Sequence, residues 1–192
     1  MPLRILLASA ALAALSGCIS IGADPPDALL TLTPSTAVPS DRVARAAAGE
    51  AITILPPSLP AALTTTRVPV QVTPTQIAYV KDAQWVDQPN RMFQRLLSET
   101  VQAKGGRTVL DPRQFAFDPG LRLSGQLLQF GVDAARSEAV VVFEAALLRG
   151  GALETRRFEA RAPVAEIAAA PVGEALNEAA NRVAADVAGW IG

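Results

Sequence analysis

The sequence has no histidine and only one cysteine among its 192 residues. Without histidine, Ser-His-Asp triads, histidine acid–base chemistry and nearly all zinc or iron sites lose their usual base or ligand. No paired-carboxylate motif is visible, and loop positions typical of capping and turn residues account for the remaining acidic candidates, Asp82, Asp87, Asp111 and Asp118. We therefore predict that the protein is not an enzyme, with no catalytic residues, no metal site and no cofactor.

The chain also has few charged residues and little net charge. Charged side chains make up 18% of it, aromatic side chains 5%, and the formal net charge is −1. This balance gives no electrostatic reason to expect nucleic acid as a partner. Hydrophobic residues make up 50%, but the only apolar run near membrane-spanning length lies at the N-terminus. We expect the remainder to fold as a domain in water.

The N-terminus has the three parts of a secretory signal peptide, because one basic residue, Arg4, precedes an apolar run over residues 5–15. The run closes on Leu-Ser-Gly-Cys, which resembles the lipobox of bacterial lipoproteins. There the cysteine is acylated, with palmitate among the acyl groups, and becomes the new N-terminus. We therefore predict a signal peptide over residues 1–17 and a lipid anchor on Cys18. An ordinary signal peptide followed by a chance cysteine is the weaker alternative, since this cysteine stands where cleavage is expected.

Residues 18–27 follow the cysteine as a lipidated N-terminus and tether, because they contain one glycine and two prolines without periodicity. A flexible chain of about nine residues has a root-mean-square reach of roughly 17 Å, so the domain should sit close to the lipid surface. Residues 28–192 are long enough for one domain with a hydrophobic core. Their length leaves little room for a second.

The apolar patterning of residues 28–192 predicts a single α+β domain with a mixed, largely antiparallel β-sheet and two main helices packed on it. Alternation predicts strands over residues 28–33, 51–55, 67–72, 75–80, 107–110, 121–133, 138–149 and 153–162. Spacings of three and four predict helices over about 89–104 and 171–191. Pro69 predicts an edge position or a bulge for its strand, and a phase slip between Leu127 and Leu128 predicts a second bulge.

The segment from Arg149 to Arg161 is rich in arginine and glutamate. An exposed edge strand with cross-strand ion pairs is the favoured interpretation, because charges protect the edges of sheets. A docking surface for an acidic partner or for anionic head groups is the alternative.

The two tryptophans differ in their predicted roles. Trp190 falls on the apolar stripe of the last helix, so it should pack on the core. Trp85 stands in a loop before a helix, where a partner-binding anchor and a lid over the core are equally plausible. We name Trp85 as the candidate partner-binding residue.

Several pieces of the sequence, in their order and spacing, resemble the ABC-type transport auxiliary lipoproteins, the family that includes the lipoprotein partner of the paraquat-inducible Mce system. Those pieces are the lipobox ending at Cys18, segments 30–34, 52–56 and 59–63, Tyr79, Trp85, a helix led by Pro89, strands at 127–130 and 140–148, and a closing helix ending in Trp190 and Ile191.

The resemblance implies a non-catalytic component of an ABC/Mce-type transport system. In such systems an inner-membrane ATPase and permease work with a periplasmic Mce-domain protein that carries lipids or other apolar compounds. The lipoprotein would dock that protein at the periplasmic face of the outer membrane, and related lipoproteins can form homo-oligomeric rings. Ile19 follows the lipidated cysteine in place of the aspartate that retains lipoproteins at the inner membrane, which favours sorting to the outer membrane.

Two other classes share some of these features. A lipoprotein that activates a cell-wall synthase would also combine an anchor with a small α+β domain, but it would more often need a longer tether than residues 18–27 provide. A periplasmic hydrolase is the enzyme alternative, and the missing histidine and the lack of a paired-carboxylate motif argue against it.

Overall fold

The structure is a computed structural model, and it describes residues 27–39, 41, 43, 45–47, 49–105, 107–113 and 119–192. The predicted signal peptide, Cys18 and the tether before Asp27 lie outside these residues. The strands are β1 (Ala51–Ile54), β2 (Arg67–Thr73), β3 (Gln76–Gln84), β4 (Val109–Leu110), β5 (Gly120–Asp133), β6 (Glu138–Arg149) and β7 (Ala152–Pro163). The helices are a short 3-10 turn (Ala61–Leu63), α1 (Pro89–Gly105) and α2 (Ala169–Ile191).

Strand β5 is the centre of a seven-stranded sheet. On one side it pairs antiparallel with β6 over its whole length, and β6 pairs antiparallel with β7. On the other side it pairs parallel with β1 near its start and with β2 near its end. Strand β4 flanks β1 in parallel, and β3 flanks β2 antiparallel. The predicted α+β domain with a mixed sheet is confirmed.

Both helices cover the same face of this sheet. Apolar residues at three- and four-residue spacing give each helix one buried side. Helix α1 meets the core face of β6, where the rings of Phe93 and Phe143 lie 5.3 Å apart, edge to face. Helix α2 packs across β6 and β7 and contacts α1. Trp190 is half-buried near its end, 5.6 Å from the ring of Phe158, as the prediction of core packing requires.

The alternation predicted for β6 is confirmed, and it separates the two faces of the sheet. Its core-side residues are buried beneath the helices: Ala139, Val141, Phe143, Ala145 and Leu147. The residues between them point to the opposite face, which neither helix covers. Among the described residues, no helix is long and apolar enough to cross a membrane.

The strand predicted over residues 28–33 is reduced to a single parallel bridge between Leu30 and Trp85. The amide of Leu30 donates to the carbonyl of Gln84 at 2.8 Å, and the carbonyl of Leu30 accepts from Val86 at 2.9 Å. Beyond Leu30 the chain turns to the side of α2, where side chains and not a strand satisfy its backbone. Alternation alone therefore overstated the length of this pairing.

The edge position predicted from Pro69 is wrong, because β2 lies between β3 and β5. The alternative, a bulge, is what the structure shows: the β2–β3 register shifts between Arg67 and Pro69. Proline has no N–H to donate, so the ladder is interrupted at this point. The second predicted bulge is confirmed, since the β5–β6 register shifts between Leu127 and Gln129.

Candidate functional site

The uncovered face of the sheet carries a pocket of about 250 Å³. It lies where the 3-10 turn and the β2–β3 hairpin meet the second half of β5. Its apolar lining includes Pro60, Ala62, Pro69, Ile77, Leu128 and Val140. Strand alternation explains part of this lining, because Leu127 is fully buried in the core while the next residue, Leu128, points to the opposite face and lines the pocket. The arrangement suits an apolar side chain or one short apolar part of a larger molecule.

The rim of the pocket is a network of five charged residues. Arg161 lies at its centre, with Glu159 at 2.8 Å, Glu138 at 3.2 Å and Asp133 at 3.7 Å. Arg136 closes the network through a 2.8 Å bond to Asp133. The hydrogen bond from the Arg136 side chain holds the pKa of Asp133 below its usual range, against the opposing effect of burial. Because these charges neutralise one another, the rim offers an anionic ligand little attraction.

The described residues contain no group of three or more histidine, cysteine, aspartate or glutamate side chains that could hold a metal ion. The arginines and carboxylates of the rim are already paired with each other. The pocket can therefore bind and position an apolar group, and its geometry offers no nucleophile activated by a nearby base.

The two predicted site residues fall in different places. Cys18 lies outside the described residues. Trp85 is only 1% exposed, and its ring packs against Phe130 with centroids 5.2 Å apart and the ring planes tilted by 45°. Its backbone amide donates to the carbonyl of Thr66 at 2.7 Å. This burial fits the lid over the core, and in this conformation the indole offers no surface to a partner. The partner-binding role of Trp85 stays a prediction.

Two asparagines that the sequence patterns did not single out, Asn177 and Asn181, fasten the N-terminal segment to α2. The side-chain oxygen of Asn177 accepts from the amide of Thr33 at 2.9 Å. Asn181 accepts from the amide of Ser35 at 2.7 Å and donates to the carbonyl of Thr33 at 2.9 Å. A signal was present, because two asparagines four residues apart are poor helix formers that share one side of an alanine-rich helix.

A family model for the ABC-type transport auxiliary lipoprotein component matches residues 30–188. The chain belongs to this family. The match begins at the residue that bridges to Trp85 and ends in the last turn of α2, so it spans the whole sheet and both helices. As a member of the family, the protein is an auxiliary lipoprotein component of an ABC-type transport system.

Two solved structures share the fold of this family member. A crystal structure of an uncharacterized protein has a TM-score of 0.67 and 15% identity, covering 76% of this chain and 94% of that one. Protein XCC0632 from Xanthomonas campestris has a TM-score of 0.63 and 19% identity, covering 86% of this chain and 92% of that one. A search of curated proteins found no significant match.

Proposed function

We propose that this lipoprotein docks a periplasmic Mce-domain protein at the periplasmic face of the outer membrane, and that it assists the transport of lipids or other apolar compounds without catalysing a reaction. The observation that carries this proposal is the family match over residues 30–188. Because that match takes in every strand and both helices, the role of the domain is the role of the auxiliary component.

The lipid anchor follows from the lipobox ending at Cys18. Ile19 stands at the position where aspartate would retain a lipoprotein at the inner membrane, which supports sorting to the outer membrane. The bridge at Leu30 and the two asparagine contacts support a mechanical role for the anchor. They tie the chain to the domain at the point where the tether ends, so an anchored N-terminus restrains the whole domain.

The non-catalytic part of the proposal is supported by composition and by the site. The chain has no histidine, and the pocket rim consists of mutually paired arginines and carboxylates. An apolar pocket on an uncovered sheet face is a feature of binding surfaces, where a few buried contacts supply most of the affinity.

The test is affinity capture of the tagged lipoprotein from detergent-solubilised envelopes, comparing wild type with Cys18→Ala. We expect the Mce-domain protein of the same transport system to co-purify with wild type and to be reduced with Cys18→Ala. Recovery of a cell-wall synthase, or of no transporter component under mild conditions, would overturn the proposal.

The anchor and its location have separate readouts. Mass spectrometry of the mature N-terminus should find acyl chains, palmitate among them, on Cys18. Density fractionation should place wild type in the outer membrane and should move Ile19→Asp to the inner membrane. Ile19→Ser is the matched control, because it changes the same position without creating the retention residue.

A further inference from the structure

The N-terminal segment meets the domain at one end of the sheet. Leu30 lies against Gly173 in the second turn of α2, Thr33 is bonded to Asn177, and Ser35 is bonded to Asn181. Followed backwards, the chain therefore runs toward the start of α2, which comes six residues after the end of β7. We call this end of the sheet, where β5 and β7 finish and β6 begins, the tether end.

The opposite end, which we call the distal end, holds the tight turn between β6 and β7. Gly150 and Gly151 make this turn with φ values of 55° and 84°, as a two-residue hairpin with both central residues left-handed requires. Arg149 donates to the carbonyl of Ile191 at 2.8 Å, which places the last turn of α2 at this end as well.

An anchor on Cys18 gives these two ends different surroundings. The tether has a reach of roughly 17 Å, whereas the twelve residues of β6 span about 40 Å at the rise of an antiparallel strand. The tether end is therefore held near the lipid surface. The distal end points away from the membrane, toward any component that spans the periplasm.

The distal half of the uncovered face carries an exposed apolar pair, with one arginine directly beside it and a second arginine four residues along β7. We call it the distal patch, and it consists of Arg122, Ala146, Leu148, Leu153, Thr155 and Arg157. Leu148 pairs with Arg122 on one side and with Leu153 on the other, so all three share this face. Leu148 is 39% exposed and Leu153 is 65% exposed.

The arginines of the two ends differ in their partners. At the tether end, Arg136 and Arg161 are held by the carboxylates of the pocket rim. In the part of the chain that the structure describes, neither Arg122 nor Arg157 has a carboxylate within ion-pair distance, although Glu144 stands opposite Arg157 in the register. These two guanidinium groups can bind a carboxylate of another molecule without breaking an ion pair within this domain.

We propose that the distal patch is the surface on which the Mce-domain protein docks, through a segment that presents apolar side chains beside carboxylates. This inference rests on the proposed function and adds the location and chemistry of the contact. Single exposed leucines are ordinary on protein surfaces, but this pair is in register on the sheet face that α1 and α2 leave uncovered, beside two arginines that have no carboxylate partner among the described residues. Arginine beside a buried apolar anchor is a common composition for the centre of an interface.

The test measures binding between the purified periplasmic part of the Mce-domain protein from the same transport system and the full lipoprotein, held in nanodiscs by its own anchor. Leu153→Glu and Arg157→Glu should each weaken binding about tenfold or more. The matched controls are Val72→Glu, which places the same charge on an exposed apolar residue outside both the distal patch and the pocket, and Lys81→Glu, which reverses a charge on β3. Val72 is 45% exposed and the Lys81 side chain 92% exposed, and both controls should change binding less than about twofold. Ile77→Glu tests the pocket as the rival docking surface.

Salt dependence gives an independent readout. Raising the salt concentration should weaken binding of wild type, because it screens the contact between arginines and carboxylates. The double variant Arg122→Gln and Arg157→Gln should bind more weakly at low salt and should lose most of this salt dependence. Thermal unfolding of each variant checks the fold, since every substituted side chain in the distal patch is exposed or half-exposed.

The outcomes separate this inference from the proposed function. If wild type does not bind the Mce-domain protein, the proposed function fails with the inference. If wild type binds, Leu153→Glu and Arg157→Glu bind equally well and Ile77→Glu does not, the pocket is the docking surface and the inference alone is overturned. If sedimentation shows that the distal variants break a homo-oligomer, a second copy covers the patch, which also overturns it.

Discussion

The side-chain oxygen of Asn181 accepts a 2.7 Å hydrogen bond from the amide of Ser35, across 146 positions of the sequence. The nitrogen of the same side chain donates to the carbonyl of Thr33 at 2.9 Å. One asparagine thus satisfies two backbone groups of a segment that otherwise touches the sheet through a single bridge at Leu30. Asn181 is itself only 9% exposed, so these bonds also satisfy a buried side-chain amide, and they help to hold the segment on the helix.

Asn181→Ala should therefore destabilise the protein and loosen the segment before β1. The variant loses its bonds to Thr33 and Ser35 together with a 2.8 Å bond to the carbonyl of Asn177. We expect a loss of about 1–3 kcal/mol in the free energy of unfolding. Urea unfolding measures that loss, and hydrogen exchange should show a faster amide at Ser35.

Asn177→Ala is the matched control one turn earlier, because its side-chain oxygen accepts a single bond from the segment, at the amide of Thr33. It should cost less than Asn181→Ala and should speed exchange at Thr33 more than at Ser35. Equal exchange at Ser35 in wild type and Asn181→Ala would show that the asparagine does not hold the segment in solution.

Gly131 should tolerate no side chain, because the bulged part of β2 approaches β5 closely there. A Cβ built on Gly131 would lie 2.4 Å from the carbonyl oxygen of Pro69 and 2.9 Å from its ring. Gly131→Ala forces the bulged part of β2 away from β5, and we expect a cost of about 3 kcal/mol. Thermal unfolding should record a fall of about 2–4 °C for each kcal/mol in a chain of this size.

Gly189→Ala is the control for that substitution. Gly189 lies in α2, and a Cβ added there meets no atom of the described residues within 4 Å. Since alanine favours a helix over glycine, this variant should gain about 0.5 kcal/mol. If both glycine variants shift stability in the same direction, the close approach of Pro69 to Gly131 is not what sets the outcome.

Several parts of this fold could be predicted because they depend on local patterning. Alternation located β6 and its core face, helical spacing located α1 and α2, and a break in alternation at Leu127 located the β5 bulge. Each of these signals comes from residues adjacent in sequence that share one buried surface. A long stretch with one clear hydrophobic period is compatible with few alternative secondary structures.

The parts that could not be predicted depend on partners distant in sequence. Residues 28–33 alternate like a strand. Beyond Leu30, however, the backbone amides of the segment donate to the side chains of Asn177 and Asn181 in α2 and not to a neighbouring strand. Pro69 predicted an interrupted hydrogen-bond ladder, but nothing near it in the sequence indicated that β5 pairs with the same strand. The loop position of Trp85 left its burial open, because only the packed sheet brings Phe130 beneath the indole.

Substitution of Trp85 should change stability more than partner binding. The indole is 1% exposed, and its nitrogen has no hydrogen-bond partner among the residues that the structure describes. Trp85→Ala should therefore cost about 3–5 kcal/mol, as expected for a large cavity. Trp85→Phe keeps the ring contact with Phe130 and removes an unsatisfied N–H, so it should cost much less.

Urea unfolding of both variants checks this order. If wild type binds the proposed Mce-domain partner, Trp85→Phe should bind it equally well, once both are shown to be folded. A folded Trp85→Phe variant that no longer binds would support the partner-binding role that the sequence predicts for this residue.

The charged network on the pocket rim should make the free energy of unfolding fall at acidic pH. The hydrogen bond from Arg136 holds the pKa of Asp133 below its ordinary value of 3.8 in the folded state. This stabilisation is fully present above the unfolded pKa and is lost as the pH falls through the lower, folded one. Asp133→Asn should therefore be less stable than wild type near neutral pH and should lose less stability between about pH 5 and pH 3.

Because the hydrogen bond from Arg136 is the largest cause of the lowered pKa of Asp133, Arg136→Gln should flatten the same part of the plot of stability against pH. Adding Asp133→Asn to Arg136→Gln should change the slope of that plot little further. Urea unfolding at a series of pH values measures all three variants. Parallel profiles for wild type and Asp133→Asn would mean that this carboxylate gains nothing from its guanidinium partners in the folded protein.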